Sequence, residues 1–420
     1  MRVLTSPASP LQTTVAALSE AGAVRFLGFG FCALQAFQRI RDPSVSRTDV
    51  SQALVILILF LCAPAHAQTP APSPAPQPDL TQAEKTLRSA VQQNPQDAAA
   101  FANLGLVLAK EGKYDQAVPA YRKAATLNPK LPGIHLNWGL AEFKQGHFPE
   151  AIVPLTRALA ADPSNTQART LLGLSCYGAK RFAEASKNLQ IVVKLDPANT
   201  ELRKVLAQSC LLARDYSCAR DEFRQILEES PDSASAHVLM GEALDGLGQT
   251  ANAVAEFQAA AKASPREPDV NFGLGYLQWK MHNFEEAKIA FRNELALDPN
   301  HAQALAYLGD IEVQQDHFDD ALPLLQKAVQ IRNDIRLAYI DLGAVLMQQK
   351  RYPDALAALQ HAVKLDPSQP DAHFRLGRLY QAMGNAASSE REFAKVKELH
   401  QKADEDIASK MPKQPSGPSQ

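Results

Sequence analysis

The chain has 420 residues, and those that could carry chemistry are its 5 cysteines, its 10 histidines and one glycine-to-lysine stretch. Gly105 to Lys113 faintly echoes a phosphate-binding loop. The spacing is wrong for one, and Tyr114 stands where a serine or threonine hydroxyl would have to hold magnesium. His135, His237 and His373 are far apart in the chain, and no group of histidines stands at metal-ligand spacing. No nucleophile and base are arranged as acyl or phosphoryl transfer would need them. The expectation is a non-enzymatic chain with no cofactor and no metal. Net charge is −2, without the lysine and arginine clusters that track phosphates, which argues against a nucleic-acid partner.

Those residues are positioned by one unit copied along the chain. Gly105, Gly139, Gly173, Ala207, Gly241, Gly275, Gly309, Gly343 and Gly377 are each 34 residues apart. With the small residue as position 8, nine units run from 98–131 to 370–403. Position 7 is apolar from Leu104 and Trp138 to Leu376. Position 20 is alanine from Ala117 to Ala355, then Ser389. Position 24 is bulky, as in Tyr121, Leu155, Phe257 and Phe393. Position 32 is proline in seven units, Pro129 among them, with Asn333 once in its place. Apolar residues recur at helical spacing over positions 1–14 and 17–30. Gly112, Gly146 and Gly248 mark the turn between. Each Asp/Asn/Ser-Pro pair stops the second helix, because the residue before proline is pushed out of the α region. Small residues at 8 and 20 let the two helices approach closely. Pro119, Pro154 and Pro323 fall inside second helices and are expected to kink or fray their early turns.

This pattern resembles the tetratricopeptide repeat family, whose 34-residue helix–turn–helix carries W-x2-L-G-x2-Y, A-x3-F and P. The resemblance covers about three-quarters of the chain. It implies an all-α, right-handed α-solenoid of nine helix–turn–helix repeats over 98–403, stacked so that neighbours bury a continuous core. Residues 80–97 match the second half of a repeat, with Ala83, Leu87, Ala90 and Pro95 in register, and are expected to form a lone N-terminal capping helix. Repeat 9 runs into the charged stretch from Lys395 to Lys410, which reads as a C-terminal capping helix. Residues 404–420 comprise its end and a disordered tail.

Ahead of the repeats, Leu54 to Leu61 is strongly apolar. With its neighbours it is too short for a membrane span of about 20 residues, and Ala65-His66-Ala67-Gln68 follows as a small-x-small cleavage pattern. Residues 53–67 therefore read as a secretory signal cut after Ala67. The alternative is an uncleaved anchor through residues 53–63, which would associate the protein with the inner membrane. Residues 1–52 are an unusual extension. Translation from Val45 or Val50 would leave residues 1–44 unmade, which a peptide from residues 2–38 in native cells would contradict. Residues 68–79 are a proline-rich, polyproline II linker.

Cys176 and Cys210 share position 11 of adjacent repeats, and a helix spacing of about 8–10 Å is too long for a disulfide. Cys210 and Cys218 stand near either side of one hairpin. They either form a bridge, which an oxidising compartment would permit, or remain two thiols.

The resemblance further implies a concave groove lined by positions 2, 5, 9 and 12 of the first helices. The candidate partner-binding residues are Leu136 and Phe143 in repeat 2, Tyr177 in repeat 3, Glu242 and Asp245 in repeat 5, and Phe272, Tyr276 and Trp279 in repeat 6. Apolar anchors among them suit a protein or peptide partner, and the acidic group, continued by Asp310, suits a basic residue on it. The function expected is a protein-interaction scaffold in the periplasm or outside the cell. The alternative is an accessory, partner-recruiting subunit of an envelope enzyme such as a glycosyltransferase.

Overall fold

The computed structural model describes residues 80–410, apart from residue 268. The extension, signal and linker expected over 1–79, and the tail beyond 410, lie outside the described residues. Among those described there are 19 helices and no strand. The chain divides into two compact bodies between Ala213 and Arg214, inside repeat 4.

The first body opens with α1 (Leu80–Gln93). Three complete hairpins follow: α2 (Ala98–Lys110) with α3 (Tyr114–Leu127), α4 (Ile134–Lys144) with α5 (Phe148–Ala161), and α6 (Thr166–Gly178) with α7 (Phe182–Leu195). It closes on α8 (Thr200–Leu212). The second body begins with α9 (Tyr216–Glu229). It continues with α10 (Ala234–Gly246) and α11 (Thr250–Ala263), α12 (Val270–Lys280) and α13 (Phe284–Leu297), then α14 (Ala302–Gln314) and α15 (Phe318–Ile331). Next come α16 (Arg336–Gln348) and α17 (Tyr352–Leu365). Last are α18 (Pro370–Ala382) and the long α19 (Ala386–Lys410). Among the described residues no helix is long and apolar enough to cross a membrane.

First helices start where a side chain can accept their orphan N–H groups. Asp97, Asn165, Asn199 and Ser233 accept from Ala100, Ala168, Leu202 and Ala236 respectively. Within each hairpin the copied positions interlock. A Cβ on Gly139 would come 2.5 Å from Leu155, and one on Gly309 2.7 Å from Leu325, so position 8 is the seat for position 24. Every alanine at position 20, from Ala117 to Ala355, is fully buried. In repeat 9, Ser389 keeps the seat by donating its hydroxyl to the Gly377 carbonyl at 2.9 Å.

The turn between the helices places position 15 in the left-handed region in every repeat, as a C-terminal helix cap does. Gly112, Gly146, Gly248 and Gly384 adopt it, and so do Lys180, Arg214, His282, Asp316 and Lys350 at φ near 60°. The second helices are not interrupted at their internal prolines. Helices α3, α5 and α15 run unbroken through Pro119, Pro154 and Pro323, because each proline costs a single early hydrogen bond in a helix held by its buried face. Cys210 and Cys218 are each disulfide-bonded. Cys176 is a buried free thiol whose pKa burial raises to about 11.

Candidate binding surface

On α12, Phe272, Tyr276 and Trp279 stand at i, i+4 and i+7 and so share one helix face. All three are half-buried. Tyr307, from α14, meets Tyr276 and Trp279 edge to face and lies tilted at 54° against Phe272. Its ring centroid lies 4.9 Å from Trp279 at 69°, 5.6 Å from Tyr276 at 76°, and 6.0 Å from Phe272. Such edge-to-face contacts suit the ring quadrupoles. Tyr276 and Trp279 stack at 6.0 Å. Phe291 lies parallel to Tyr307 at 5.8 Å and also occupies the seat at Gly275. The aromatic face is thus anchored on the copied stack. Burial pushes the Tyr307 phenol up to about 12.

Beneath this face lies a buried acid pair. The Trp279 indole N–H donates to Asp310 Oδ2 at 2.5 Å, and Gln314 Nε2 donates to the same oxygen at 2.6 Å. Asp310 is 6% exposed, and these donors offset the cost of burying its carboxylate. Asp341, on α16, is 2% exposed. Burial, then the charge of Asp310, hold its carboxyl well above the usual range, while Arg375 at 3.9 Å pulls the other way. Ionised, Asp341 would leave Oδ2 without a donor. Protonated, it donates to Asp310.

The other sequence candidates fare unevenly. Leu136 and Glu242 are half-buried. Phe143 and Tyr177, expected as partner anchors, are 2% and 4% exposed. Each closes edge-on over the first residue of its own second helix, Phe148 at 5.4 Å and Phe182 at 5.7 Å. Tyr177 also donates its hydroxyl to Gln208 at 2.9 Å. Both belong to the core. The acids expected to wait for a basic partner are engaged internally: Asp245 pairs with Lys280 at 2.7 Å and accepts from Thr250, and Asp310 is held as above. Tyr307 and Asp341 were missed because both occupy position 6, outside the four groove positions considered.

Two groups of histidine and carboxylate have the proximity a metal would need. Glu312, His317 and Asp320 form one. It already holds a cation, since Lys288 Nζ lies 3.0 Å from Glu312, with His317 Nδ1 at 2.9 Å. Burial disfavours the Glu312 carboxylate, yet His317 and Lys288 outweigh it and hold its pKa low. The second group is Asp269, Glu294 and His301. Glu294 is 2% exposed and accepts the N–H groups of Asp269 at 3.4 Å and Phe272 at 3.1 Å, doing for α12 what an N-cap side chain does elsewhere. His301 Nδ1 accepts the Ala304 N–H at 3.1 Å, and Nε2 lies 3.1 Å from Asp269 Oδ1. A neutral imidazole has one free nitrogen lone pair, and the Ala304 N–H takes it. The proton on Nε2 then faces Asp269, so this trio is arranged for helix capping, not for metal ligation.

Tetratricopeptide repeat models match residues 177–234, 204–268, 238–280 and 272–334, and a further one matches 343–384. The tetratricopeptide domain of cytochrome c-type biogenesis protein H matches residues 65–203. The chain belongs to the tetratricopeptide repeat family. Similar solved structures include Cut9-Hcn1 of the APC/C hetero-tetramer, at 13% identity over 76% of this chain and 79% of that one, TM-score 0.46. Another is YrrB, a tetratricopeptide repeat protein with an unusual peptide-binding site, at 21% identity over 42% of this chain and 91% of that one, TM-score 0.36. A third is MamA from Desulfovibrio magneticus RS-1, at 23% identity over 40% and 96%, TM-score 0.37. No curated protein matches the chain. Within the tetratricopeptide pattern, Gly275 and Phe291 are copied residues, whereas Tyr276, Trp279, Tyr307, Asp310 and Asp341 belong to this chain's own repeats.

Proposed function

We propose that the chain is a non-enzymatic scaffold that binds segments of other proteins on the first-helix face of its repeats, and that it works in the cell envelope. The observation that carries the binding surface is the half-buried aromatic face of α12, held from below by Tyr307 and the acid pair. Half-exposed tyrosine and tryptophan on a rigid support are the residues that most often dominate protein interfaces. Export rests on the apolar run and cleavage pattern at 53–67. The two histidine and carboxylate trios described above are committed to helix capping and ion pairing, which supports a role without metal chemistry at either. With Asp245 and Asp310 engaged internally, the partner is read by aromatic packing before charge.

The test is reversible crosslinking of the full-length chain in native cells, with wild type compared against Tyr276→Ala. Tyr276 is chosen because the Trp279 indole is committed to Asp310. The expected result is a captured set of proteins that the variant loses while its melting stays cooperative. Identical capture by both chains would refute the surface. A second reading, an accessory subunit that recruits partners to an envelope enzyme such as a glycosyltransferase, is favoured by the match of residues 65–203 to a biogenesis-protein domain. Co-purification with an enzyme would select it.

A further inference from the structure

We propose that His301 is a proton-operated helix cap at the junction of repeats 6 and 7, and that it couples pH to the aromatic face of α12. Among the first helices capped by a side chain, Asp97, Asn165, Asn199 and Ser233 use oxygen atoms as acceptors. His301 uses Nδ1, which accepts the Ala304 N–H only while it is unprotonated. In the neutral ring both nitrogens are satisfied, because Nε2–H donates to Asp269 Oδ1.

A second proton removes this arrangement. Nδ1–H would then point at the Ala304 N–H, donor against donor, and the cation would face the positive end of α14. The acidic groups around the ring favour the charged form nonetheless. Asp269 lies before α12, Glu294 on α13 and Asp298 after it. Burial pulls the imidazole pKa down, but these carboxylates outweigh it and hold the value above the ordinary 6.5. The ring therefore has two competing states. The neutral one caps α14, and the charged one turns from α14 towards the carboxylates.

The aromatic face senses which state is occupied. The His301 ring lies 4.8 Å from Phe272 at 31°, Phe272 touches Tyr307, and Tyr307 touches Trp279. Turning the ring removes one wall of the Phe272 site, so the surface described above repacks as the imidazole titrates. That consequence for binding rests on the proposed function; the switch itself is read without any partner.

Trp138→Phe leaves Trp279 as the one remaining tryptophan of the two in the chain. Its emission is followed in the full-length protein, with EDTA present, from about pH 8 to about pH 5.5, the range in which imidazoles titrate. In parallel, amide exchange is measured at the first turn of α14. The expected result is one emission transition, with exchange at Ala304, corrected for its intrinsic pH dependence, faster in acid by roughly fivefold, the usual worth of a cap. Adding His301→Asn, which caps at every pH as Asn165 does, abolishes both changes. An identical transition in the His301→Asn protein, or no transition in its parent, would overturn the proposal. Neither readout involves a partner, so failure here is distinct from failure of the binding surface.

Discussion

Repeats 2 and 6 depart from the common pattern in the same way and then resolve the departure differently. Both have proline at position 1, Pro132 and Pro268. Both have a first helix of 11 residues, where α2 has 13. Both place the residue after the proline in the left-handed region, Gly133 at φ 71° and Asp269 at φ 63°. Both carry a tryptophan whose indole N–H meets a buried carboxylate. In repeat 2, glycine adopts that backbone freely, position 27 is the usual Ala158, and Asn165 caps the next repeat. In repeat 6 the same three places hold Asp269, Glu294 and His301. Trp138 donates to Glu142 on its own helix at 3.0 Å, whereas Trp279 donates to Asp310 of the next repeat. One backbone problem thus has a purely structural solution and a titratable one, and the titratable solution sits beside the aromatic face.

The comparison breaks most sharply at Glu294. Glu294→Ala leaves two backbone N–H groups beside α12 without their acceptor. It should cost about 2–4 kcal/mol in chemical denaturation of the second body, at roughly 1–3 kcal/mol per orphaned buried group. The equivalent change in repeat 2, Ala158→Gly, removes only helix propensity and should cost about 1 kcal/mol. Equal losses would mean that Glu294 is not the cap of α12.

Asp341→Asn should stabilise. The carboxyl is raised in the folded state, so it costs stability wherever the unfolded chain has already ionised, that is, as pH rises above the ordinary 3.8. Asparagine does not titrate, and its amide donates to Asp310 as the protonated acid does. A gain of about 1–2 kcal/mol is expected at neutral pH, from the cost of an unsatisfied buried group. It should shrink to nothing as pH falls through the carboxyl range. Urea denaturation at several pH values checks this, and a gain that grows in acid would contradict it.

Smaller effects test the two left-handed residues. Gly133→Ala should cost about 1–2 kcal/mol, the steric penalty of a Cβ in that region. Asp269→Gly should recover a similar penalty, less what the His301 hydrogen bond contributed. Smaller again, Lys350→Gly should gain about 1 kcal/mol or less at the inter-helix turn.

Positions 8, 20 and 24 were legible because a strict period forces the same residue sizes into the same contacts. The left-handed turn at position 15 was less so, since Lys180, Arg214, His282, Asp316 and Lys350 give no glycine signal there. Which groove candidates remain accessible turns on contacts that one repeat's pattern does not contain. Tyr177 and Trp279 share position 12, yet Tyr177 is buried in the core, while Trp279 meets Tyr307 from position 6 of the next repeat. The role of Asp245 turned likewise on Lys280 in the following repeat. Neighbour identity at 34-residue separation, not residue type at a groove position, decides which side chains stay available.

The most direct measurement places a photo-crosslinking phenylalanine analogue at Tyr276 in the full-length chain, and separately at Ile289, which is 59% exposed on the second helix of the same repeat. After irradiation in native cells, the account predicts a protein adduct from position 276 and none from position 289. An adduct from 289 with none from 276 would contradict it.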